Sequence, residues 1–354
     1  MIVIDGHLDL AWNALSWNRD LTLDIYEMRK AESGMTDKHR GANTVSFSEM
    51  RKGKVAVCLA TVLARVSGLG EPMLDFRSQE IAYAMGKGQL ACYRILEKQG
   101  HLKMLRNRRE LREHIGKWSS EDHSTLPLGF ILSMEGADPI VSPGDVTEWW
   151  NEGLRVIGLA HYGRSAYAHG TGSSGGLTAK GQDLLKAMQE AGMILDVTHL
   201  SDESFWEALG LFLGPVLASH HNCRALVPGD RQLTDDQIRE LIRRDAVIGA
   251  AFDSWMLHSG WVLGSTPHTA VSLENVADHI DHVCQIAGNS QHVGIGSDLD
   301  GGYGREQSPH DLDTIADVQA LPAILRKRGY SDSDTEGIMH ANWLRLFEKA
   351  WVKN

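Results

Sequence analysis

Cysteine is scarce in this chain. Its 354 residues hold four, Cys58, Cys92, Cys223 and Cys284, and no two share C-x-x-C spacing. That argues against a thiolate zinc site and against a disulfide scaffold, and it predicts free thiols in a reducing, cytoplasmic setting. Net positive charge is lacking too: the formal charge is -11 at pH 7 with histidine neutral. Nucleic acid and anionic membrane surfaces reward Lys and Arg, so neither is expected as a partner. A small substrate stays open, because the field inside a cleft can oppose the global sign. Long apolar runs are missing, and nothing approaches the roughly 18 apolar residues a membrane span needs. Asp5 arrives too soon for a signal peptide. No low-complexity tract or linker splits the chain, so a single domain over residues 1–354 is expected.

What is present is an ordinary globular balance, 42% hydrophobic and 23% charged, enough for a large core. Eight short β-branched runs stand out: 2–9, 55–66, 128–135, 155–161, 193–199, 215–220, 246–252 and 293–298. Amphipathic stretches such as "TAKGQDLLKAMQEAG" and "LENVADHIDHVCQIAG" lie between them. In the first, Thr178 is an expected N-cap and Gly192 an expected C-cap. Alternating strand and helix predicts a parallel sheet, and eight repeats predict a closed (β/α)8 TIM barrel. The polar span 10–54 reads as an irregular excursion over the barrel mouth, and 301–315 as a second such loop.

The opening "MIVIDGHLDLAW" sets the chemical question. Asp5, His7 and Asp9 interrupt a strand, all on one face. Buried charge is costly unless it is paired or holds a metal. In a barrel of this type, catalytic groups sit at the C-terminal ends of strands. Several runs end in titratable residues: Glu135 in "FILSMEGAD", His161 in "VIGLAHYG", Asp196 and His199 in "MILDVTH", His220 and His221 in "VLASHH", Asp298 and Asp300 in "VGIGSDLDGG". A lone histidine after an apolar run is usually a structural residue, but several converging on one mouth are not explained that way. Imidazoles and carboxylates without thiolates suit zinc or another first-row metal. Glu135 could bridge two ions that share an activated water. His220 and His221 are neighbours on a strand, so one faces the mouth, and alternation favours His220. Asp5 reads as a group that bonds backbone or orients a ligand. Asp196 and Asp300 read equally well as supporting groups or caps. His39, His101, His114, His123 and His292 lie in polar contexts and read as solvated. Trp255, Met256, His258 and Trp261 read equally well as lining a substrate pocket or as core or lid packing.

These motifs together, "DGHLDLAW", "MEGADPI", "LAHYG", "LDVTHLSD", "LASHHNCRALVPGDRQLTDDQI", "GIGSDLDG" and the closing "GIMHANWLRLFEKA", resemble the membrane (renal) dipeptidase family of the amidohydrolase superfamily. The resemblance runs in order over nearly the whole chain and is to a soluble bacterial-type member, since no signal peptide or lipid-anchor tail is matched. It implies two zinc ions, with His7 and Asp9 on the first, His199 and His220 on the second, and Glu135 bridging. It implies that His161 binds substrate and stabilises the oxyanion, that Arg231 grips the carboxylate of a dipeptide, and that Asp298 handles the proton. A D-residue at the second position and a homodimer are also implied. Ala11 stands where the family often has proline, and Ala137-Asp138 stand where mammalian members have Gly-His; both departures put the pocket's shape in question. Two rivals remain: a related amidohydrolase for another small amide such as an N-acyl amino acid, and a silent metal-binding barrel. The "GTGSSG" at 170–175 matches a dinucleotide fingerprint by letter, but it sits away from a strand end, so a loop is the better reading.

Overall fold

The structure is a computed structural model and describes residues 1–120 and 122–352. Each of the eight expected runs coincides with a strand, β5 starting one residue before its run. These are β1 (Val3–Leu8), β2 (Val55–Leu63), β4 (Leu128–Glu135), β5 (Leu154–Gly158), β6 (Ile194–Asp196), β7 (Val216–Leu217), β8 (Ile248–Ala250) and β9 (Val293–Ile295). A ninth short strand, β3 (Leu102–Met104), was not anticipated. It pairs with the first half of β4, whose edge β5 joins only from Leu132 onward.

The order along the sheet is β7-β6-β5-β4-β2-β1-β9-β8, and neighbouring strands pair in parallel. A parallel bridge between Ala218 and Ile248 closes the ring, carried by Ala218 N–H to Val247 O (3.1 Å) and Gly249 N–H to Ala218 O (2.8 Å). The architecture is therefore a (β/α)8 barrel. Both faces of a parallel sheet are covered, which is why β2 is buried at all nine positions and reads as a continuous apolar run. The seam is tight on one side: a Cβ at Gly6, Gly249 or Gly296 would collide with the carbonyl oxygen of Ser219.

The helices form where their caps say they should. Thr178 Oγ1 accepts from Gly181 N–H, and Gly192 ends that helix at φ 79°. The later Leu273–Ala287 helix ends at Gly288, φ 68°. At the barrel's far end, Trp343 donates from Nε1 to Ile295 O (2.9 Å) and seals the core. Among the described residues, no helix is long and apolar enough to cross a membrane.

The excursion 10–54 is more ordered than its polarity suggested. It holds three short helices, Leu10–Ser16, Ile25–Ala31 and Phe47–Lys52. Asp300 ties it to the barrel by accepting from Thr44 N–H (2.7 Å), Thr44 Oγ1 (2.8 Å) and Val45 N–H (3.0 Å). Within it, buried Arg19 forks onto Glu32 at 2.8 and 3.1 Å.

Candidate active site

The mouth of the barrel opens on a cavity of about 500 Å³. Its floor is built by strand ends. His7 comes from β1 and Asp9 from just beyond it, Glu135 from the end of β4, His199 and His220 from beyond β6 and β7, and Asp298 from beyond β9. Alternation alone does not aim them all. His199 and Asp298 sit in the left-handed region, at φ 67° and 58°. Such strain costs on the order of 1–3 kcal/mol and clusters at functional sites. It also ends β6 and β9 sooner than their apolar runs suggest, since the chain turns its side chains into the mouth.

The floor groups crowd around one carboxylate. Glu135 Oε1 lies 3.2 Å from His220 Nε2 and 3.3 Å from His199 Nε2, and Oε2 lies 3.6 Å from His7 Nε2. His7 Nε2 is also 3.3 Å from Asp9 Oδ2 and 3.7 Å from Asp298 Oδ1. Three overlapping groups have donor atoms within 4.8 Å of one another: His7, Asp9 and Glu135; Glu135, His199 and His220; His7, His220 and Asp298. Asp9 Oδ1 and Glu135 Oε1 are buried without a hydrogen-bond partner among the described residues. Orphaned carboxylate oxygens beside convergent imidazoles suit a divalent cation, and two overlapping triads suit two.

The outer nitrogens support the same reading. Nδ1 of His220 is 2.9 Å from Ser219 Oγ, Nδ1 of His199 is 3.0 Å from Thr171 Oγ1, and Nδ1 of His7 is 3.4 Å from Thr61 Oγ1. A hydroxyl that accepts from Nδ1–H leaves the Nε2 lone pair free, as a metal ligand requires. Electrostatics show how concentrated the negative charge is. Burial pulls the His7 imidazole down, but Glu135, Asp9 and Asp298 outweigh it and push it up to about 10. Burial pushes Glu135 up to about 7 and Asp298 well above the usual carboxylate range. His199 and His220 are held well below the usual histidine range by burial. A charged His7 has no lone pair to offer, so its role as a ligand needs a cation in the proton's place.

Above the floor, His161 and Arg231 line the same cavity. Arg231 is buried; its Nη2 donates to His220 O (3.0 Å), while Nη1 has no partner among the described residues. His161 Nε2 stands 3.9 Å from Glu135 Oε1. The structure thus gathers His7, Asp9, Glu135, His161, His199, His220, Arg231 and Asp298 in one place. His221 is buried outside these groups. Asp5 accepts from Ser297 N–H (2.8 Å), Ser297 Oγ (2.6 Å) and His7 N–H (3.1 Å), a structural role. Asp196 likewise accepts from Thr198 N–H and Ser219 N–H, both at 3.0 Å.

Other expectations need correction. His114 and His292 are buried and bonded to backbone carbonyls, and His39 lines the cavity with Nδ1 3.0 Å from Glu306. Asp138 does not shape the pocket. It is fully buried and pins Val66 N–H and Ala166 N–H, each at 2.8 Å. Trp255 and Met256 do line the cavity, whereas His258 and Trp261 lie at other surface hollows. The "GTGSSG" segment is a loop whose Thr171 supports His199. Arg65 and Asp253 were missed, although Arg65 lies near the end of one apolar run and Asp253 directly follows another; each lines the cavity.

The family profile "Membrane dipeptidase (Peptidase family M19)" matches residues 1–353. The chain belongs to the membrane dipeptidase family. Among curated relatives, an uncharacterized protein in the pqqA 5' region of Klebsiella pneumoniae is 31% identical over 236 residues, 63% of this chain and 83% of that protein. Dipeptidase verJ of Clonostachys rogersoniana is 32% identical over 242 residues, 66% of this chain but 59% of its own length. Dipeptidase tcpJ of Claviceps purpurea is 32% identical over 62% of this chain and 50% of its own length. A metallopeptidase from Rhodobacter sphaeroides, solved with a phosphinate mimic of L-Ala-D-Ala, superposes with a TM-score of 0.80 at 24% identity, covering 99% of both chains. That likeness shows the shared fold. Family membership places the chain among metallo-dipeptidase hydrolases.

Proposed function

We propose that this protein hydrolyses free dipeptides with two zinc ions. The observation that carries the reading is the single cavity that combines overlapping ligand triads with the free Nη1 of Arg231. His7 and Asp9 would hold one ion, His199 and His220 the other, and Glu135 both. When bound, the ions would supply a nucleophile at neutral pH and Lewis-acid polarisation of the scissile carbonyl.

The chain's own groups do the rest. Arg231 binds the substrate's C-terminal carboxylate through its planar donors, a geometry Lys does not copy. His161 donates from Nε2 to the carbonyl oxygen as charge develops there, an effect worth roughly 3–4 kcal/mol per donor. Asp298 takes the proton of the attacking water and delivers it to the leaving amine. A cavity of about 500 Å³, with the carboxylate clamp close to the floor, favours two residues over longer peptides. The phosphinate mimic of L-Ala-D-Ala bound to the Rhodobacter protein supports a D-residue at the second position.

The test is amino-acid release from dipeptides with L- or D- second residues, by chelated protein and after zinc is restored. Release only with zinc is expected. A folded protein that holds two metals and releases nothing would overturn the reading and turn attention to N-acyl amino acids. In the same assay Arg231→Lys should raise KM about 10- to 100-fold, the loss of a charged hydrogen bond, and leave kcat much closer to wild type.

A further inference from the structure

The four imidazoles at this site differ in what faces Nδ1. His7, His199 and His220 meet hydroxyl groups, which can accept a hydrogen bond from Nδ1–H. His161 meets a guanidinium: Arg65 Nη1 lies 2.8 Å from its Nδ1. Every nitrogen of a guanidinium donates and none accepts. Nδ1 of His161 must therefore be the acceptor in that contact, and in the neutral ring the proton sits on Nε2. This ring nitrogen has no lone pair for a metal. It has an N–H to offer to the cavity.

Arg65 is well held for the task. It follows β2, is buried, and its backbone is fixed by Leu74 O (3.1 Å) and Phe76 N–H (2.8 Å). Its Nε and Nη2 fork onto Asp75 at 2.8 and 3.1 Å, and Nη2 also meets Glu71 Oε2 at 3.0 Å. Two carboxylates thus orient the guanidinium, and its remaining amino group points at His161. We infer that Arg65 is a positioning residue that fixes His161 as the Nε2–H tautomer, making it an oxyanion donor and not a third imidazole ligand. This rests on the dipeptidase reading for the identity of the oxyanion, but not for the tautomer.

The experiment combines a mutant cycle with a spectroscopic readout. Arg65→Met and Arg65→Lys are each made alone and with His161→Ala. Arg65→Met should lower kcat by about 10²- to 10³-fold, the cost of one oxyanion donor, with KM little changed. Arg65→Lys keeps a donor without the fork and should fall between. Affinity for a phosphinate mimic of a dipeptide should fall with kcat. In the His161→Ala background neither change at Arg65 should have further effect. Losses that multiply there would overturn the inference, and the Lys variant carries this test if the Met variant does not fold. In metal-free protein with ¹⁵N-labelled histidine, His161 should show a bare Nδ1 and a protonated Nε2, and a proton found on Nδ1 would overturn the inference outright. A bare Nδ1 in a protein that cleaves no dipeptide would sustain the tautomer assignment while the substrate reading fails.

Discussion

Two sets of histidines are buried in this barrel, and they do opposite work. His7, His161, His199 and His220 sit at the mouth with Nε2 directed at Glu135. His114 and His279 lie on the buried faces of helices outside the mouth. His114 Nε2 donates to Ala56 O (2.9 Å), and His279 Nδ1 accepts from Cys223 N–H (3.0 Å). Burial is alike in the two sets, at 3% side-chain exposure or less for His7, His199 and His220 and 2% residue exposure for His114 and His279. The partner differs. Structural histidines spend a nitrogen on the backbone, and site histidines spend Nδ1 on a side chain that leaves Nε2 free for chemistry. A buried histidine is thus informative only once both its nitrogens are accounted for.

The comparison breaks most visibly at Glu135, the group the mouth imidazoles share. Glu135→Gln keeps the shape and removes the charge. Bound metal, measured by elemental analysis, should drop below two ions per chain, and kcat should fall on the order of 10⁴-fold, as when groups that act as a unit lose one member. Retention of both ions would show that the carboxylate does not bridge. A smaller effect is expected one layer out. Ser219→Ala removes the hydroxyl beside His220 Nδ1 and should weaken zinc binding about 10- to 100-fold in a chelator competition, with near-normal turnover once zinc saturates. His114→Gln, the control from the other set, should leave zinc affinity unchanged.

Much of this was legible in the sequence because strand ends are short, local signals. The barrel follows from eight apolar runs separated by capped helices, and each candidate ligand stands within a few residues of a run's end. Asp9 and Glu135 announce themselves as acids where burial is otherwise demanded. Arg65 did not, although it is the penultimate residue of the run over 55–66, because its partners Glu71, Asp75 and His161 are set by the fold of a loop and by a distant strand. His114 was misread for a related reason: "RRELREHIGKWSS" is polar in composition, yet Leu111, His114, Ile115 and Trp118 share the buried stripe of its helix. Composition reports the average of a helix, and spacing reports its face. The strand β3 was lost because three residues carry too little pattern, and its pairing with β4 is decided by where β5 begins.

The same contrast predicts an acid response that belongs to the structural set. Burial lowers His114 from the ordinary value near 6.5 to about 4, and His279 to about 3. Between pH 6.5 and those values the unfolded chain binds protons that the folded chain refuses. Stability therefore rises with pH across that window and is lost as pH falls through it. That lowering of His114 corresponds to ~3 kcal/mol between the two ends, at 1.36 kcal/mol per pH unit. Urea midpoints of chelated protein at pH 7.5 and pH 5 should differ less in His114→Gln and His279→Gln than in wild type, because an amide can keep a hydrogen bond without titrating. Chelation takes zinc release out of the comparison, and the variant-minus-wild-type difference cancels the titration of Glu135 and Asp298, which is common to both proteins. An undiminished acid loss in both variants would assign the response to the mouth instead, where His199 and His220 are also held low by burial.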